Sequence, residues 1–156
     1  MEQNDYFEKL YDYHKIIMET DMANSFKTDY KQNKNKLGKK LIEAIERGLA
    51  YKAKDYSEAV TNIRIIYEGI EELFDDYDAI ITPSALGEAP KGLTSTGSPE
   101  MCTIWTYLGM PALSMPLLVG SNNLPIGVQL VGQKFEDARL LRTANWLNKK
   151  TTKGKK

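Results

Sequence analysis

Apolar residues along the first half of the chain recur at three- and four-residue steps. From Tyr6 to Met18, Phe7, Leu10, Ile17 and the ring of His14 fall on one face, the spacing of an amphipathic helix. Leu37, Leu41, Ile45 and Leu49 repeat at every fourth position with Ile42 beside them, which predicts a second helix that stops near Gly48. A third begins where Asp55 and Glu58 stand three apart in the manner of a capping box, and Val60, Ile63, Tyr67, Ile70 and Phe74 trace its inward face. Between the first two helices, Lys27 to Lys36 offers one aromatic and no aliphatic side chain. It is expected to be a solvated connection with its lysines in water.

The period changes at Tyr77. Ala79, Ile80 and Ile81 are consecutive and Pro83 ends the run, as in a short strand buried on both faces. Residues 84–99, carrying Gly87, Pro90, Gly92, Gly97 and Pro99, form a loop long enough to be suspected of function. A short helix from Glu100 to Leu108 is closed by Gly109 and Pro111. Ala112 to Val119 and Ile126 to Val131 then read as two strands, paired antiparallel through a Gly120 to Pro125 turn rich in Gly, Ser and Asn. Leu140, Leu141, Ala144 and Leu147 mark a closing helix, with Glu136 and Asp137 in its first turn where the helix dipole favours negative charge. This order predicts an α/β protein in which residues 1–150 form one segment and residues 151–156 a disordered tail. Three strands are too few for a complete sheet.

Composition narrows the partners. A chain of 156 residues is long enough to hide roughly 68–70% of the surface its unfolded form exposes. Lysine plus arginine (21) equals aspartate plus glutamate (21), so no long-range field recruits nucleic acid or an acidic membrane. The lysines at 27, 31, 34, 36, 39 and 40 read as a solvated face. Met1 to Leu10 holds Glu2, Asp5, Glu8 and Lys9 and no apolar run. The stretch Met110 to Val119, broken by Pro111, Ser114 and Pro116, falls short of the ~20 residues a spanning helix needs. Neither a signal peptide nor a membrane segment is expected, and the cytoplasm is the expected compartment. Cys102, the single cysteine, has no internal disulfide partner and no metal-binding spacing; with one histidine in the chain it reads as a small buried apolar residue rather than a nucleophile. His14, among apolar neighbours on its face, reads as a packed ring.

From Phe74 to Leu147 the chain resembles the end of the amidase-signature enzymes, serine hydrolases that cleave amides. The resemblance rests on FDDYDAIITPSALGEAP, TGSPEMCTIWTYLGMPALSMP and LPIGVQLVGQKFEDARLLRTANWL in that order: Thr82-Pro83, Thr96-Gly97, Trp105, Gly109-Met110-Pro111-Ala112, Pro116, and Pro125-Ile126-Gly127-Val128-Gln129-Leu130. The helices before residue 74 are compatible with it. It implies the C-terminal part of a fold in which a mixed sheet is covered by helices on both sides, incomplete in this chain. Several motif residues also have a structural reading: Gly109 for a positive φ, Pro111 and Pro116 at a strand end or edge, Gly127 for close packing.

The family's nucleophilic serine, its second serine and its lysine precede the matched region, so the resemblance places no catalytic residue here. Ser25, Ser57, Ser84, Ser95, Ser98, Ser114 and Ser121 all lie outside the glycine-flanked setting that would expose a hydroxyl and aim amides at an oxyanion. What the resemblance leaves is a wall of the substrate pocket, from Thr96 to Trp105, with Thr96 and Trp105 as candidate substrate-binding residues. Ser98 and Met101 stand where many relatives carry an acidic residue and an aromatic. Pro99 stands where glutamine-using relatives carry an aspartate, which argues against glutamine as substrate. No metal or cofactor is implied. The expected partner is the missing N-terminal amidase portion, with a small amide as substrate of the complete enzyme only. The alternatives are one subunit of a split amidase, a stand-alone noncatalytic binding module, or a smaller α/β domain with an unrelated activity.

Overall fold

The computed structural model describes the backbone of residues 3–153 and the side chains of residues 9–151. The chain divides into two compact units, Met1–Ile65 and Ile66–Lys156, and the boundary falls within one helix rather than at a linker.

The first unit is helical. It contains α1 (Gln3–Ser25), α2 (Lys27–Asn33), a 3-10 turn (Lys34–Lys36), α3 (Lys39–Ala50) and the start of α4 (Ala53–Glu71). Its buried apolar side chains are Leu10, Tyr13, Ala23, Ala44, Ile45 and Ala59. Ala23 lies where α1 and α3 approach closely, within contact of a Cβ built on Gly48. The expected faces hold in part. Ile45 is fully buried, but Leu49 is 62% exposed and Val60 is exposed, with Ala44, Gly48 and Ala59 taking the inward places. The third helix, α3, stops at Ala50, close to Gly48 as expected, although the glycine is not its cap. That glycine lies inside α3 against α1, where a Cβ would overlap the carbonyl of Glu19. The side chain of Phe7 lies outside the described residues.

Residues 27–36, read from sequence as a connection, are helical with no buried side chain. Their order comes from polar contacts: Lys34 Nζ donates to Tyr30 Oη at 2.8 Å and to Glu46 Oε1 at 2.7 Å. Asp55 accepts from the Lys52 amide at 3.2 Å as a helix-start carboxylate should, whereas Glu58 accepts from Tyr13 Oη at 2.8 Å. The expected Asp55–Glu58 box does not form: the helix starts earlier, at Ala53, so Asp55 reaches back to Lys52 and Glu58 finds a partner on another helix.

The second unit holds the rest of α4, α5 (Leu73–Asp76), β1 (Ile80–Pro83), α6 (Glu100–Leu108), β2 (Ala112–Val119), β3 (Pro125–Val131) and α7 (Asp137–Lys153). The fold is α/β, and the described sheet is antiparallel with strand order β1-β3-β2. β2 and β3 form the expected hairpin. The turn closes through Gly120 N to Leu124 O at 2.9 Å and places Asn123 at φ 60°. A bulge between Met115 and Leu118 brackets Pro116 on the edge strand, where a residue without an N–H is tolerated. Gly109 ends α6 at φ 69°, the positive value expected of it.

Side chains alternate across β3. Leu130 packs with Met115, Leu140 and Ala144 beneath α7, and its neighbour Gln129 points the other way to reach Met101 of α6, so helices meet both faces of the sheet. β1 departs from the doubly buried strand expected of it. It is an edge strand with alternating exposure, and Ile81 is 60% exposed, because no described element lies beyond it. At the other end of the unit α7 continues through Lys153, into the stretch read as a tail, while residues 154–156 lie outside the described residues.

Candidate functional site

The loop from Ser84 to Pro99, the start of α6 and the facing ends of the three strands carry several of the motif residues, among them Thr82, Pro83, Gly127 and Gln129. Gln129 organises them. Its side chain is buried, and Nε2 donates to Thr82 Oγ1 at 2.9 Å, to Pro83 O at 3.2 Å and to Met101 O at 2.6 Å. One amide thereby ties β1, β3 and the first turn of α6 together. An unpaired polar group at that depth would cost about 1–3 kcal/mol. Gly127, two positions earlier, explains the other close approach. A Cβ there would fall 2.6 Å from Ser114 Oγ and 2.7 Å from Ser84 Oγ, and those hydroxyls are 2.7 Å apart. Glycine thus lets two serines meet across β3, the close packing anticipated for it.

The loop is fixed at two further points. Glu88 accepts from Asn122 N at 2.8 Å, from Asn122 Nδ2 at 2.5 Å and from Leu124 N at 3.3 Å, so it clamps the β2–β3 turn. The Asn122 side-chain hydrogen bond, joined by both backbone amides, holds this carboxyl below its ordinary 4.5. Gly92 and Gly97 take φ values of 96° and 89°, which side-chain-bearing residues avoid. The Ser98 hydroxyl accepts the Glu100 amide at 3.3 Å as α6 begins.

Between the loop and the sheet runs a groove of about 570 Å³, lined mainly by apolar side chains including Ile81, Pro83, Leu86, Met101, Leu118 and Ile126. Met101 falls within the stretch expected to form a pocket wall. The two candidate substrate contacts are placed differently. Thr96 is exposed on the loop, and Trp105 is half-buried on α6; neither lines this groove. The indole Nε1 of Trp105 is closed off from solvent and has no hydrogen-bond partner.

Ser84 and Ser114 have each other as side-chain partners. Among the described residues neither hydroxyl hydrogen-bonds to a lysine, histidine or carboxylate that would make it a nucleophile. His14 is half-buried in the first unit, and burial pushes its imidazole below 6.5, consistent with a packed ring. Cys102 corrects the sequence expectation: it is exposed, with Sγ 3.7 Å from Ser84 O. The lack of a reactive partner did not imply burial, because the buried side of α6 consists of Thr103, Tyr107 and Leu108. Among the described residues no three His, Cys, Asp or Glu side chains gather as metal ligands, and no helix is long and apolar enough to cross a membrane. The roles of Gln129 and Glu88 went unread in the sequence. Gln129 had a signal, a lone amide in an otherwise apolar strand; Glu88 had none.

Residues 4–141 match the family model described as Amidase. The chain is 31% identical over 105 residues to a subunit of the mitochondrial glutamyl-tRNA(Gln) amidotransferase of Anopheles gambiae, covering 62% of this chain and 21% of that protein. It is 32% identical over 115 residues to the corresponding subunit of Thermotoga maritima, covering 70% of this chain and 24% of that one. The chain thus spans about a quarter or less of the curated relatives it matches. Among solved structures, a crystal structure of an amidase superposes on 92% of this chain and 36% of its own length, with a TM-score of 0.79 at 24% identity.

Proposed function

Because the chain belongs to the amidase family, we propose that it is the C-terminal part of an amidase-signature hydrolase, supplying strands of the sheet and part of the substrate-pocket wall while the nucleophile comes from elsewhere in the enzyme. The observation that carries this reading is the family match over residues 4–141 together with serine hydroxyls, Ser84 and Ser114, that have only each other. In the complete enzyme a serine of the other portion attacks the amide carbonyl. Ammonia or an amine leaves as the acyl-enzyme forms, and water then releases the acid and restores the hydroxyl. The groove beside Met101 suits an apolar acyl or aryl group, and Trp105, which does not line it and whose indole N–H is shielded, would act on the substrate from behind that wall. Thr96, exposed on the same loop but outside the groove lining, is the second substrate contact this reading assigns. A separate binding module is the weaker reading, since it leaves the unsatisfied indole and the bare edge of β1 without purpose.

The test is amide hydrolysis on a panel of aliphatic and aromatic amides, by the purified chain alone and after mixing with a nucleophile-bearing amidase portion. No turnover alone and turnover on mixing is expected, with Trp105→Phe raising KM more than it lowers kcat. Turnover by the chain alone that disappears in Ser84→Ala or Ser114→Ala overturns the reading.

A further inference from the structure

Ile81 and Leu130 are register partners on β1 and β3, so their side chains share one face of the sheet. α7 covers that face only in part. Leu130 beneath it is 1% exposed, whereas Ile81 one strand away is 60% exposed. Beside α7 the uncovered strip forms a groove of about 560 Å³ with Ala79, Ile81 and Leu147 along it and Tyr77 and Trp146, 62% and 59% exposed, at its sides. Ile81 also lines the groove near Met101, so the bare apolar surface continues along β1.

We propose that this strip is the docking face for the nucleophile-bearing portion of an amidase, which lays an apolar helix beside α7 over β1. The proposal rests on the reading of the chain as one part of such an enzyme. Three observations select the occupant. The same fold in the solved amidase accounts for 36% of a longer chain, so there it is accompanied by further protein. One helix covers two strands of a three-stranded face, and a helix of ~10 Å diameter is the element that fills a bare strip beside another helix. The rim is basic. Arg139 is held by Asp78 at 3.0 Å, whereas Arg142, exposed one turn along, has no ion-pair partner among the described residues and is free to meet a carboxylate on the incoming helix.

The experiment measures binding by titration calorimetry between the full chain and a probe, the matching amidotransferase subunit of Thermotoga maritima from which the stretch matched by this chain has been deleted. Ile81→Glu, at a site exposed enough to tolerate the change, is expected to weaken binding at least tenfold. Arg142→Glu on the surface of α7 should weaken it several-fold, and Leu49→Glu in the first unit should leave it unchanged; circular dichroism confirms that each variant is folded. If Ile81→Glu does not fold, Arg142→Glu carries the decision. Wild-type binding that neither substitution reduces overturns the docking face while the reading of the chain as an amidase part stands. No binding by the wild-type chain overturns that reading and the docking face with it.

Discussion

The carbonyl of Glu19 occupies the space that a Cβ on Gly48 would take, so α1 and α3 touch through bare backbone at that level. The contact sits beside a buried carboxylate. Glu19 is 1% exposed, and its Oε1 accepts from Arg47 Nε and Nη2 at 2.9 and 2.6 Å while Oε2 accepts from Tyr51 Oη at 3.0 Å. Any widening of the helix pair would therefore also disturb a charged group that has little water to fall back on.

Gly48→Ala should destabilise the protein despite the higher helix propensity of alanine. The overlap involves backbone on both sides, so relief requires moving a helix, at a cost of about 2–3 kcal/mol against a propensity gain of ~1 kcal/mol. A urea denaturation curve should show a lower midpoint for the variant. An unchanged or higher midpoint would mean that the two helices separate without penalty.

Gln129→Leu keeps the volume of the side chain and removes all three donations from its amide. The Met101 and Pro83 carbonyls and the Thr82 hydroxyl lose that donor, and a destabilisation of about 2 kcal/mol is expected. Because one of the lost bonds anchors α6, hydrogen exchange should accelerate in its first turn more than in α7. Uniform acceleration across both helices would argue against a local anchor.

The Glu88 clamp should depend on pH. Its carboxyl titrates below the ordinary 4.5 in the folded chain because the ionised form accepts from Asn122 and Leu124. A depressed folded value means that the contribution is present above the unfolded value and is lost as pH falls through the folded one. Exchange of the Asn122 and Leu124 amides should therefore show an excess protection near neutrality that fades in acid. Glu88→Gln should remove that pH dependence; the same profile in the variant would assign it to another group.

Elements with strong local signals were legible in the sequence. α6 and β2 fall where glycine, proline and apolar runs placed them, because proline fixes φ and glycine accepts the positive φ that ends a helix, whatever surrounds them. Faces and depths were less legible. Val60 was expected inward and is exposed while Ala59 beside it is buried, a rotation of the face by one residue that the apolar pattern does not encode. The helix over Lys27–Asn33 carries no apolar stripe, and pattern reading has nothing to detect when order comes from contacts such as Lys34 with Glu46. At the site, the motif residues Thr96 and Trp105 could be named without their surroundings. The clamp by Glu88 joins positions 34 and 36 residues apart, a distance at which composition carries no information about contact.

The strand order β1-β3-β2 also sets an order of assembly. β2 and β3 are joined by a tight turn and followed directly by α7, so their contacts close short loops. β1 reaches β3 only after the long loop, α6 and β2 have been threaded past it, and it brings four residues to the ladder. The hairpin with its helix is thus the natural nucleus of the second unit, and β1 the last strand to join and the first to leave.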